Sequence, residues 1–523
     1  MNTRAALPLG VLALTFAAPD AFAHGGVLGK VSFPISCNAE ASRHFENGML
    51  LQYNYYWGPA RKAFDSAAAA DPACGMAHYG AALTYMDNIL AGSPTPKQLE
   101  EGRAALAKAK AAGLATARER DYVAASDAFF AADEKQPTMA RMEAFAGAMK
   151  RVSEAYPKDS EAAVLYAWSL IASAPLTDQT YSKQLQAAGL LEGVGRDQPE
   201  HPGVIHFLVH AYDYPAIAHK GVGSARKYAT VAADAPHALH MPSHIFTRMG
   251  YWQDSVASNT ASARSCGDLD WCKLHAYDYM VYAYLQMGKV DEASKVVATM
   301  RDYTLKQTND SRFPSTYALA SAPLRLALET GQWKSAADFT LPPATQEVWS
   351  KVGSPEMIYA FGRGLGAARG GDVTLAKAEI ERLNGIEKRF TDRGDKYWSG
   401  QAAIHAKTLE GMVANAEGRK SDALRILSAA ADAEDKTEKH IVTPGPLAPA
   451  RELYAELLLE SGDARGAYAQ YVKVLDREPN RRKTLQGAAM AAERAAAADL
   501  RVLPSAVTSS AIRQPWTEVM SRR

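Results

Sequence analysis

The sequence predicts an all-α array of stacked helical hairpins, and three observations predict it. Small residues and prolines recur at fixed offsets with a period of about thirty-four. Amphipathic segments alternate with short Gly-, Asp- or Pro-bearing turns, and no sustained two-residue alternation of the kind a strand needs is present. The chain has 523 residues, too many for one ordinary core, so it forms several domains or one repeat array.

Taken in order, residues 1–23 (MNTRAALPLGVLALTFAAPDAFA) read as a signal peptide. Arg4 gives the positive start, residues 5–18 the apolar stretch, and Ala21-Phe22-Ala23 a small-x-small cleavage site. An apolar run of about 12–14 residues is too short to span a bilayer. No later stretch is long and apolar enough to do so, and the expected location is the periplasm or the exterior. Residues 24–37 are a lead-in.

The repeat begins at 41–74, ASRHFENGMLLQYNYYWGPARKAFDSAAAADPAC. Gly48, Ala60, Phe64, Ala67 and Pro72 stand where a hairpin needs small residues at its crossing and a proline to end it. The same grammar returns in GYWQDSVASN (250–259), GKVDEASKVV (288–297), GQWKSAADF (331–339), GRKSDALRIL (418–427) and GDARGAYAQYVKVLDREPN (462–480). On these residues the chain resembles the tetratricopeptide-repeat (TPR) superfamily over most of 38–497. The 462–480 copy is the clearest, and 95–155 and 300–400 are more degenerate. The resemblance implies a right-handed superhelical solenoid whose concave surface is built from the first helix of each hairpin. Residues 498–523 form a C-terminal tail outside the pattern.

Lys and Arg number 58 against 57 Asp and Glu, so no positive excess is offered to nucleic acid or anionic lipid. Export permits disulfides among Cys37, Cys74, Cys266 and Cys272. The last two bracket a short loop and are placed to bridge locally; the first two are placed to staple the first helical pair to the next. Sequence does not choose among the three connectivities, and no CxxC is present for thiol–disulfide chemistry.

The histidines carry the functional signal. HPGVIHFLVHAYDYP (201–215) holds His206 and His210 four apart, on one helix face. One repeat later, PHALHMPSHIF (236–246) holds His240 and His244 with the same spacing. In the superfamily register, His206 and His210 take the fifth and ninth positions, Asp213 the twelfth, His237 and His275 the second, and Asp278 the fifth. Those positions face the concave side. Three successive helices therefore direct His206, His210, His237, His240, His244 and His275 to one patch, with Asp213 and Asp278 beside them.

Such a donor set suits copper or zinc, and also nickel or iron, while the lack of nearby thiolates argues against a sulfur-rich site. The carboxylates either ligate or fix the ring tautomers. HFLVH and HMPSH lack the glutamate of a zinc-protease HExxH. Cleavage after Ala23 would also leave His24 as a terminal two-nitrogen chelate for copper. His44, His78, His219, His405 and His440 are scattered and receive no role. FGRGLGAARGGD (361–372) follows no strand, so its glycines read as close helix contact and not as a dinucleotide loop. The aromatic run Tyr53–Trp57 reads mostly as core, with a ligand-facing rim as the alternative for part of it, and VTPGPLAPARELYAE (442–456) as an ordered connector bordering the concave surface. Two functions compete: a metal centre on the concave face, or a metal-free scaffold that binds a peptide or protein partner in the groove.

Overall fold

The computed structural model describes residues 26–90, 92–131, 136–302, 313–340, 349 and 352–502. Residues 1–23, read above as a signal peptide, lie outside the described residues, as do His24 and most of the 498–523 tail.

Hairpin geometry is set where small residues meet large ones. The first hairpin pairs α1 (Ala39–Tyr53) with α2 (Trp57–Ala70), and α3 (Gly75–Thr84) stacks on both. Phe64 of α2 is clamped between two glycines: a Cβ on Gly48 or Gly80 would lie 2.4 or 2.3 Å from its ring. The glycine and aromatic positions of the repeat are thus two halves of one contact.

The array continues through α4 (Pro96–Ala112), α5 (Ala117–Phe130), α6 (Thr138–Ala155), α7 (Ser160–Ala172) and α8 (Ser182–Asp197). Next come α9 (Pro202–Tyr212), α10 (Val222–Val231), α11 (Pro236–His240), α12 (Pro242–Arg248), α13 (Trp252–Ser265), α14 (Asp270–Gln286) and α15 (Val290–Asp302). Beyond α16 (Phe313–Glu329) and α17 (Trp333–Ala337) lie α18 (Ser354–Gly370), α19 (Val373–Asp392), α20 (Lys396–Ala416) and α21 (Lys420–Glu434). A connector leads to α22 (Ala450–Glu460), α23 (Ala464–Arg477) and α24 (Arg482–Val502), the last entering the tail. No strand occurs among the described residues, and no described helix is long and apolar enough to cross a membrane.

The turn glycines Gly250, Gly288, Gly331, Gly418 and Gly462 have φ between +67° and +90°, the left-handed region where a side chain is strained. Gly362, Gly364 and Gly366 are close helix contacts inside α18: a Cβ on Gly362 would lie 2.7 Å from Leu324, one on Gly364 2.4 Å from Leu409, and one on Gly366 2.7 Å from Ala336. Both local disulfides form. Cys37–Cys74 ties the lead-in to the start of α3, and Cys266–Cys272 closes the turn into α14.

One feature departs from the open groove that the resemblance implies. The C-terminal hairpins curl back onto the middle of the array. Trp252 donates to the Asn480 carbonyl at 3.1 Å, and the Arg482 N–H donates to Gln286 at 2.9 Å. The connector 435–449 is held from inside: Arg325 donates to the carbonyls of Pro446 (2.7 Å) and Gly445 (2.9 Å), and Tyr279 to that of Ile441 (3.1 Å). These buried donors satisfy connector carbonyls that would otherwise need water. The chain therefore lays its own connector along the face that carries the histidine helices.

Two stability tests follow from this packing. Alanine normally stabilises a helix interior relative to glycine, but Gly48→Ala should cost about 1–3 kcal/mol, because Phe64 has nowhere to move; urea unfolding of the variant reads the sign. His405 stacks on Phe361 at 4.2 Å, and burial pushes it down to about 4. An unfolded histidine takes its proton near 6.5, so between pH 6.5 and 4 the unfolded chain binds more protons and stability is lost as the pH drops. In His405→Phe the loss of stability between pH 7 and pH 4 should shrink by up to about 3 kcal/mol, read from denaturant midpoints at the two pH values.

Candidate metal centre

α9 starts on a proline at its first position, and His201 caps it: the Val204 N–H donates to His201 Nδ1 at 3.2 Å. His201 Nε2 faces Glu161 at 2.9 Å, so the first of the three histidines in this stretch is structural. His206 and His210 project one turn apart from the buried face. His206 Nδ1 lies 2.7 Å from the Tyr53 carbonyl, which can only accept, so Nδ1 carries the proton and Nε2 a lone pair. Both His210 Nε2 and His237 Nε2 stand 3.1 Å from that Nε2.

The second pair is built differently from the first. Sequence spacing suggests one helix through His240 and His244, but the helix breaks at Met241 because Pro242 has no N–H to continue the ladder. The backbone stays near helical across the break, with the His244 N–H donating to the Met241 carbonyl at 3.1 Å. His240 Nδ1 faces Asn259 Oδ1 at 2.6 Å, and the amide is oriented by Asn259 Nδ2 donating to the Ser255 carbonyl at 2.8 Å. His244 Nδ1 faces Asp213 Oδ2 at 2.9 Å. Both Nδ1 atoms are therefore donors, and the two Nε2 lone pairs confront each other at 3.0 Å.

His206, His210 and His237 form one triad, and His240, His244 and His275 form the other. Within each, the ligand atoms lie within 4.8 Å of one another. The third member of each triad comes from the first helix of the next hairpin, His237 from α11 and His275 from α14, so the six rings sort as three and three. His237 is partly exposed, and the other five are buried. Burial pushes His206 and His275 down to about 3 and holds His210, His237 and His240 well below the usual imidazole range, with neighbouring rings adding to the effect.

The aspartates do other work and belong to neither triad. Asp213 accepts from His244 and from Arg248 Nε at 2.9 Å each, and Arg248 also donates to the Asp213 carbonyl at 2.9 Å. Burial alone would raise this carboxyl, but Lys439 (3.7 Å away), Arg248 and His244 hold it well below the usual range. Asp278 lies 3.9 Å from Arg325 Nε, and burial pushes it up to about 6. Asp213 is thus the tautomer-fixing carboxylate, while Asp278 faces Arg325.

Sequence reasoning missed Tyr53, Asn259, Arg248 and Lys439. Arg248 had a legible signal, one helical turn after His244. Tyr53 acts through its carbonyl, which no side-chain pattern records. Tyr55, in the aromatic run read as core with part of it facing a ligand, is buried and at φ +54° turns its ring against the site, stacked on His237 at 5.1 Å and edge-on to His206 at 4.5 Å. Tyr279 closes the other side, 5.0 Å from His240 and 5.1 Å from His244.

Fold and site together define a helical-repeat protein with a six-histidine centre enclosed by its own superhelix. No family model matches the chain, and no curated protein matches it. Among solved structures, human IFIT1 as a dimer with m7Gppp-AAAA is 12% identical, covering 81% of this chain and 90% of that one at a TM-score of 0.36. The TPR domain of P58(IPK) is 13% identical, covering 88% and 99% at 0.21. Naa15/Naa10 bound to HypK-THB is 12% identical, covering 82% and 62% at 0.23. The hairpin solenoid is read from the chain's own helices.

Breaking the buried Asp213 pair is the sharpest test of this arrangement. Arg248→Met should destabilise the protein by about 3–5 kcal/mol, since it strands a buried carboxylate; equilibrium unfolding in urea measures the loss.

Proposed function

We propose that this chain is an exported helical-repeat protein that binds transition-metal ions, copper or zinc, in its six-histidine centre. The observation that carries this reading is the pair His240–His244. Two lone pairs 3.0 Å apart repel, both rings have their protons committed elsewhere, and burial discourages a further one. A cation resolves the conflict. Nitrogens bound to one ion at ~2.0–2.1 Å sit ~3.3 Å apart in a tetrahedral set, and separations of 3.0–3.1 Å need only slight expansion. Asn259, Asp213 and the Tyr53 carbonyl are the outer partners that aim such ligands. Two disulfides and no free cysteine suit export.

A peptide or protein partner in the groove is the second reading, and it would have to share the concave face with the connector. Metal content separates the two. Plasma mass spectrometry on protein produced without a His-tag should find stoichiometric copper or zinc. His210→Ala with His244→Ala should abolish it and leave helicity by circular dichroism unchanged. Wild type that stays metal-free after reconstitution with both ions would overturn the metal reading and leave the scaffold.

A further inference from the structure

The two triads adjoin each other. His210 and His244 have ring centroids 5.9 Å apart, and His237 and His240 6.0 Å. His244 and His275, within one triad, are 6.4 Å apart. Ions seated in the two triads would therefore be near neighbours, with no protein group assigned to bridge them. Three protein ligands per ion also leave an open position on each.

Charge decides which ions fit. All six donors are imidazoles, which ligate a metal as neutral groups. The nearest carboxylate, Asp213, is already committed to Arg248 and His244. Two divalent ions would put four positive charges into a buried site with no anionic ligand, and the desolvation cost rises with the square of the charge. Two copper(I) ions bring only two, and imidazole suits copper. Tyr55, Tyr279 and the connector enclose the two triads.

We infer that the six histidines hold a pair of copper ions that binds dioxygen between them, a reading that rests on the metal centre proposed above. Each copper(I) gives one electron to dioxygen and becomes copper(II). The O2 molecule accepts both, its O–O bond order falls to one, and it bridges the pair as peroxide. No proton enters and no bond to carbon changes. The net charge of the centre is two positive before and after, so the buried surroundings need not reorganise. Returning the two electrons releases dioxygen.

The test uses the untagged mature chain, loaded with copper(I) under anaerobic conditions and then exposed to dioxygen. Two copper ions per chain are expected, with one dioxygen taken up for each pair. An intense near-ultraviolet absorption should appear with it and fade when dioxygen is removed. The oxygenated protein should give no electron paramagnetic resonance signal, because the two copper(II) spins couple through the bridge. His237→Ala and His275→Ala each remove one ligand from one triad, and each should lose dioxygen uptake while keeping one ion. Two bound coppers without dioxygen uptake, or with the resonance of isolated copper(II), would overturn this inference and leave the metal-binding reading intact. A single ion per wild-type chain would also overturn it. Binding of neither copper nor zinc would overturn both.

Discussion

The buried carboxylate of Asp213 is the contact on which the centre depends. It stands at the end of α9 and accepts from His244 and Arg248 of α12, with Lys439 of the connector close by. One ionised group thus joins three segments that are far apart in sequence. It fixes the His244 tautomer, and through that tautomer the direction of one lone pair. The same cluster draws the connector over the site: Lys439, pushed down to about 8 by burial and by Arg248, is placed beside Asp213 by the connector's own path. Polar satisfaction and closure of the concave face are therefore one problem with one solution.

The rings themselves are arranged by two devices that act together. Helical periodicity puts residues four apart on a common face, which brings His206 near His210 and His240 near His244. Repeat stacking then supplies a third ring from the following hairpin. Proline interrupts the second pair, yet the interruption keeps the pair in register because Pro242 needs no hydrogen bond from its own nitrogen. The local backbone yields where the repeat pattern would not.

The fold was legible because its signals are local and repeated. Gly48, Phe64 and the turn glycines act within one hairpin, so spacing alone reveals them. The histidines were legible for the same reason: His206 and His240, and His210 and His244, recur thirty-four residues apart, and faces follow from periodicity. What the sequence did not show depends on closure. The sorting into three and three, the acceptors Tyr53 and Asn259, and the burial of the face all require knowing which distant segments meet. Arg325 reaching Gly445 and Pro446 spans 120 and 121 residues, and no periodic pattern reports a contact of that range.

Closure also changes what kind of polymer this is. An open repeat array has a stability that is a sum over neighbours, so units can be gained or lost at an end with proportionate effect. Here Trp252 grips Asn480, and Gln286 grips Arg482. Those clasps meet only if the number of units between them is right. Deleting or duplicating one hairpin would rotate the end past its clasp, and the connector would miss the face it covers. The chain has given up the modular growth that repeats usually permit, and its length has become part of its site.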